Sequence, residues 1–248
     1  MRVTVLDNSI ELGKLAAEAA ALVLNEQIGL KGKARIILST GASQFSVIEA
    51  LTKQAVDWSK VEMFHLDEYV GLPLTHKASF RKYLQERFVD LLPQLKRAHF
   101  VNGEGDIQAS IIELTNEIRK EPIDLALIGI GENAHIAFND PPANFETTEA
   151  YIIVNLDEAC RLQQVREGWF PTANDVPTRA ITMTVHQILQ SKVIISCVPH
   201  QAKAVAIKNF FENDINRQIP ATILKTHANL SLYLDKESAS LTDEKYLN

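Results

Sequence analysis

Cysteine is nearly absent: the chain of 248 residues has only Cys160 and Cys197, with no CxxC pair. That excludes a disulfide framework and a closed structural zinc site, and it fits reduced thiols in a cytoplasmic protein. Positive charge is also in short supply. Against 31 Asp and Glu stand 25 Lys and Arg, a formal charge of −6, so no broad basic field exists to hold a nucleic-acid backbone or an anionic membrane. Long apolar runs are missing too. Stretches such as 19–24 and 125–130 fall far short of the roughly 20 residues a helix needs to cross a bilayer, and neither a membrane span nor a targeting segment is expected. Glycine and proline number only 10 and 9, which excludes collagen-like and low-complexity chains. The seven histidines form no HxH or HExxH pair, so no metal is expected.

What is present is the balance of a folded soluble protein, 46% hydrophobic and 23% charged, with short apolar runs alternating with longer periodic ones. Strands are expected at residues 2–6, 34–38, 61–66, 98–101, 123–130, 151–155 and 192–198. Asn8 can cap a helix through about residue 25 whose apolar stripe is Leu12, Leu15, Ala16, Ala19 and Leu22. Further helices are expected after Phe45 and over 79–92, 107–120 and 201–211, and residues 228–234 alternate polar with apolar as an edge strand does. No repeat or linker interrupts the pattern. It predicts an α/β fold, a doubly wound, mostly parallel, Rossmann-like sheet with helices on both faces, as one domain spanning 1–248.

In open α/β sheets ligands bind beyond the carboxyl ends of strands, and three such ends here are polar. Ser39, Thr40, Gly41, Ala42 and Ser43 form a strand-to-helix turn whose amides and hydroxyls suit a phosphate or simply cap the helix. It lacks the lysine of a P-loop. Asp67 and Glu68 follow the strand at 61–66, and adjacent side chains on extended backbone face opposite ways, so one acid faces the site while the other anchors the loop. A carboxylate desolvated in a cleft is a usable general base. The third end runs from Gly129 through Gly131, Asn133, Ala134 and His135 to Asp140, Pro141 and Pro142. Its spelling meets the loose GxGxxG/A fingerprint, but two prolines stop the chain where that fingerprint needs a helix, so a nucleotide is not expected. His135 and Asp140, five residues apart, offer instead an imidazole with an acid to orient it.

These residues together resemble the glucosamine-6-phosphate deaminases, also called isomerases. The resemblance rests on the turn at 39–43, the stretch DEYVGL from Asp67, the stretch HIAFND from His135 and the Lys-Ala-Val-Ala at Lys203, in the family's order. The related 6-phosphogluconolactonases share the Gly-x-Gly-x-x-x-His strand end but usually continue Ser-Leu-Phe-Pro, whereas this chain reads Phe138-Asn139-Asp140-Pro141.

The resemblance implies that Asp67 moves a proton between C2 and C1 of an open-chain amino sugar, that Glu68 supports it, and that His135 assists ring opening. Asp140 stands where the family commonly has Glu, and Asn133 where it normally has Asp; Asn can hold an imidazole but brings no negative charge. The substrate phosphate would lie on Thr40, Gly41, Ala42 and Ser43 with Lys203 and an arginine, Arg161 being a better match than Arg166. No cofactor is required for an isomerisation through an enolamine. The implied partner is a small sugar phosphate in amino-sugar catabolism, with ammonia and a ketose 6-phosphate as products; the oligomeric state, a homo-oligomer included, is left open. Two rivals stand beside this: a lactonase or other sugar-phosphate isomerase on the same fold, and a sugar-phosphate-binding regulator without turnover.

Overall fold

The structure is a computed structural model, which describes residues 1–247. Ten strands occur in chain order: β1 (Arg2–Leu6), β2 (Ala34–Leu38), β3 (Val61–His65), β4 (Asp67–Tyr69), β5 (Arg97–His99), β6 (Leu125–Ile128), β7 (Tyr151–Asn155), β8 (Arg179–Met183), β9 (Val193–Val198) and β10 (Leu230–Asp235). Between them lie α1 (Ser9–Lys31), α2 (Phe45–Thr52), α3 (Phe80–Leu84), α4 (Ile107–Ile118), α5 (Glu158–Arg166), α6 (Val185–Leu189) and α7 (Ala204–Glu212), with α8 (Lys236–Ala239) after β10. No helix among the described residues is long and apolar enough to cross a membrane.

Seven strands form one sheet in the order β1-β10-β9-β6-β2-β3-β5, and every neighbouring pair is parallel. Side chains alternate across it, so Ile36 and Leu38 of β2 join a cluster with α1 and α2 while Ile37 joins the opposite cluster with α4 and α7. This is the doubly wound arrangement. The chain moves from β2 outward to β3 and β5, then returns to place β6 on the other side of β2. The crevice between the carboxyl ends of β2 and β6 is therefore the topological switch point.

Two expectations are corrected, and one small sheet is added. Residues 228–234 do not form an edge: β10 lies between β1 and β9. Its alternation arises because Tyr233 packs into the α1-side cluster and Asp235 caps α8 rather than facing water. A second sheet, antiparallel in the order β4-β8-β7, is also present, and β4 and β8 are too short or too mixed in polarity to announce themselves. Within α1 two leucines of the expected stripe, Leu15 (39%) and Leu22 (72%), are exposed, while Leu12, Ala16, Ala17, Ala20, Ala21 and Leu24 are buried. Small residues share the inward face with Leu12 and Leu24 because α1 packs closely against α2.

That approach is measurable at Gly13, where an added Cβ would stand 2.6 Å from the carbonyl carbon and Cβ of Ser46. Alanine would gain about 1 kcal/mol in helix propensity, but forcing atoms into a packed contact costs about 1–3 kcal/mol. Gly13→Ala is expected to lower the urea midpoint; a midpoint at or above the parent's would show that α1 and α2 separate freely.

Candidate active site

A cavity sits at the switch point, and residues from four strand ends reach it: Thr40 and Ser43 after β2, Asp67 after β3, His135 beyond β6 and Lys203 beyond β9. After β2 the chain turns at Gly41, whose φ of 101° suits glycine, and residues 42–44 make a single turn that leads into α2. The turn is tied to its neighbours. Ser39 N–H donates to the Leu127 carbonyl at 3.0 Å, and Gln44 Nε2 donates to the Cys197 carbonyl at 3.0 Å. A Cβ at Gly129 would come within 2.8 Å of that Gln44 nitrogen. Lys203 is 7% exposed and its ammonium has no hydrogen-bond or ion-pair partner among the described residues. Burial pushes its ammonium below the ordinary value, with Glu167 and Glu132 pulling it back up. A buried, unpaired cation beside amides at a turn is suited to an anion.

The adjacent acids divide as extended backbone dictates. Glu68 is fully buried and accepts hydrogen bonds from Ser79 Oγ (2.8 Å), Arg81 N (2.9 Å) and its neighbour Tyr69 N (2.9 Å). Burial raises its pKa while those bonds lower it. Asp67 faces the cavity, 5% exposed, and its carboxylate accepts no hydrogen bond from the described residues. Burial first, then the charges of Glu68 and Asp140, hold its pKa well above the usual carboxylate range.

His135 stands on a tight loop. Gly131 N–H donates to the His135 carbonyl at 2.9 Å, Ala134 and Ala137 take φ of 65° and 52°, and a Cβ at Gly131 would meet the imidazole at 2.2 Å. The ring lies flat on glycine because nothing larger fits. Nδ1 is 2.5 Å from Asn133 Oδ1 and 3.2 Å from Asp140 Oδ1, and Asn133 Nδ2 donates to the same Asp140 oxygen at 3.3 Å. Two acceptors at Nδ1 place the proton there, so in neutral imidazole Nε2 keeps its lone pair. Burial raises Asp140, but the hydrogen bond and charge of His135 outweigh it and leave the carboxyl below its ordinary value.

Thr40, Gly41, Ala42, Ser43, Asp67, His135 and Lys203 thus share one cavity, with Asn133 and Asp140 behind the imidazole and Glu68 behind β4. Neither arginine lines it. Arg161 donates to the Ala173 carbonyl, and Arg166 pairs with Glu132 at 2.6 Å. The inward face of α5 instead carries Cys160, Gln163 and Gln164, continued by Glu167 just past its end, at i, i+3, i+4 and i+7. Gln163, Gln164, Glu167, Trp169 and His200 line the cavity without having been expected. The helical spacing and the cap at Asp157 were available as signals, but the stripe is polar and hydrophobic periodicity passes over it.

Fold and cavity together define a class, α/β proteins with a small-molecule site at the switch point of a parallel sheet. Residues 7–232 match the family glucosamine-6-phosphate isomerases/6-phosphogluconolactonase, and the chain belongs to it. A glucosamine-6-phosphate deaminase of Bacillus cereus (strain B4264) is 33% identical over 229 residues, 92% of this chain and 86% of that protein. One from Bacillus thuringiensis (strain Al Hakam) is 34% identical over the same shares. The solved structure of a monomeric glucosamine-6-phosphate deaminase superposes with a TM-score of 0.87 at 28% identity, covering 97% of this chain and 100% of that chain. A 6-phosphogluconolactonase from Thermotoga maritima reaches 0.76 at 17% identity, covering 95% and 99%, a likeness of fold alone.

The raised pKa of Asp67 has a thermodynamic consequence. A carboxyl whose folded pKa exceeds its unfolded value, about 3.9, holds its proton more tightly when folded, so stability falls as pH rises through that window. Asp67→Asn is therefore expected to unfold at higher temperature than the parent at pH 7, with the gap closing toward pH 4. Thermal unfolding across that range checks it, and a parent more stable than the variant at pH 7 contradicts the assignment.

Proposed function

We propose that the protein deaminates glucosamine 6-phosphate or a close epimer, yielding a ketose 6-phosphate and ammonia. The observation that carries this is the Asp67 carboxylate, desolvated, unpartnered, and facing the cavity that also holds His135 and Lys203. The phosphate rests on the amides and hydroxyls of residues 40–43 and on the Lys203 ammonium. His135 Nε2 accepts the O1 proton of the cyclic sugar and delivers it to the ring oxygen, opening the ring to an aldehyde. Asp67 then takes the C2 proton while the substrate's own C2 ammonium gives a proton to the aldehyde oxygen, forming an enolamine, and Asp67 returns its proton to C1, which leaves a protonated imine at C2. Water replaces that nitrogen and ammonia leaves.

Each role follows from placement. A carboxylate stripped of hydrogen bonds is a stronger base than one in water, so it takes the proton and holds it for return to C1. Asn133 and Asp140 keep the Nε2 lone pair toward the substrate, and Asp140 supplies the negative charge that Asn133 lacks. Glu68 positions Asp67. The relatives at 33–34% identity are named deaminases, which favours this reading over the lactonase one. Two free, buried cysteines fit a cytoplasmic setting.

Incubation with glucosamine 6-phosphate, assaying ammonia and fructose 6-phosphate together, tests the activity; hydrolysis of 6-phosphogluconolactone without ammonia release would transfer the protein to the lactonase branch. Asp67→Asn should lower kcat roughly a hundredfold or more while leaving the affinity of phosphorylated ligands nearly intact. Lys203→Ala removes a charge-assisted hydrogen bond of about 1.5–3 kcal/mol and should raise KM roughly tenfold to a hundredfold; an unchanged KM would place the phosphate elsewhere.

A further inference from the structure

We propose that His135, Asp140 and Cys160 form a latent Zn2+ site, whose occupation switches the active site off. The three side chains come from the loop after β6 and from α5, and a ring nitrogen of His135, an Asp140 oxygen and Cys160 Sγ all lie within 4.8 Å of one another. His135 Nδ1 and Asp140 Oδ1 are already 3.2 Å apart. Asp140 Oδ2 is buried with no N–H or O–H donor on it, and the Cys160 thiol hydrogen-bonds the Asp140 carboxylate, so the two groups already face each other. Cys160 is buried on the inward face of α5, within the apolar cluster that also contains Tyr69 and Phe138.

One nitrogen, one oxygen and one sulfur make the borderline-soft donor set that Zn2+ prefers. Zinc bonds of about 2.0–2.3 Å at tetrahedral angles put ligand atoms roughly 3.3–3.7 Å apart, so closure needs side-chain shifts of about 1 Å. Three protein ligands leave a fourth position for water or the nearby Asn133 carbonyl. On binding, the Cys160 thiol releases its proton to water and the imidazole proton passes from Nδ1 to Nε2. His135 then presents a donor where ring opening needs a lone pair, and Asp140 is spent on the metal. The site is therefore inhibitory, distinct from any cofactor role. Its inhibitory consequence rests on the deaminase reading; the coordination does not.

The test uses the full chain, treated with a chelator, with Co2+ as the spectroscopic probe and Zn2+ as competitor and inhibitor. One equivalent of Co2+ should produce thiolate-to-cobalt charge-transfer absorption, Zn2+ should abolish it, and Zn2+ should inhibit ammonia release reversibly on chelation. Cys160→Ala should remove the absorption and raise the inhibitory Zn2+ concentration at least about tenfold. Glu237→Gln, in the cluster of His200, Asp235 and Glu237, should change neither. No thiolate absorption in the parent overturns the proposal whatever the variants do, as does absorption persisting in Cys160→Ala, which would assign it to Cys197. Inhibition lost in Glu237→Gln would move the ion to that cluster. If ammonia release itself is absent, the deaminase reading fails while the cobalt titration still decides the site.

Discussion

The site depends on how the Glu68 carboxylate is buried. It accepts from the Ser79 hydroxyl and from the backbone of Arg81, which fastens a three-residue strand to the start of α3. Arg81 lies 3.5 Å from it and donates onward to Asn102 and Glu104, so the anchor extends into the loop after β5. An ionised carboxylate is costly to bury unless its oxygens are satisfied, and this one is. Because adjacent residues on extended backbone point to opposite faces, holding Glu68 inward holds Asp67 on the cavity.

The opposite treatment of the cavity acids follows. Asp67 is buried with two carboxylates near it and no donor, while Asp140 is buried with an imidazole and an amide beside it. One environment pushes a carboxyl up and the other holds it down, the difference that the roles proposed for Asp67 and Asp140 call for. The backbone at 129–140 is shaped to the same end. Gly131 leaves room for the imidazole, while positive φ at Ala134 and Ala137 costs free energy, and such strain gathers where a side chain must be aimed.

Much of the fold was legible from the chain. The strands at 2–6, 34–38 and 151–155 fall where short β-branched runs put them, and Asn8 caps α1 through Ile10 and Glu11 N–H. Polar residues at the ends of buried strands pointed to the turn at 39–43, to Asp67 and to His135. What escaped was contact between distant segments. The pairing of β4 with β8 joins Asp67 to Thr182, more than a hundred positions along the chain, and three residues carry too little periodicity to announce a strand.

The sequence by itself determined the local chemistry: which strand ends are polar, which acids are adjacent, where glycine frees the backbone and where proline ends it, since these follow from side-chain type and spacing. Tertiary structure alone decided which groups meet. It placed Gln163, Gln164 and Glu167 on the cavity and turned Arg161 toward Ala173, because α5 has a polar inward stripe that no hydrophobic pattern reveals. It also set the ionisation of Asp67 against that of Asp140, because desolvation and neighbouring charge depend on what packs around a carboxyl and not on its place in the chain.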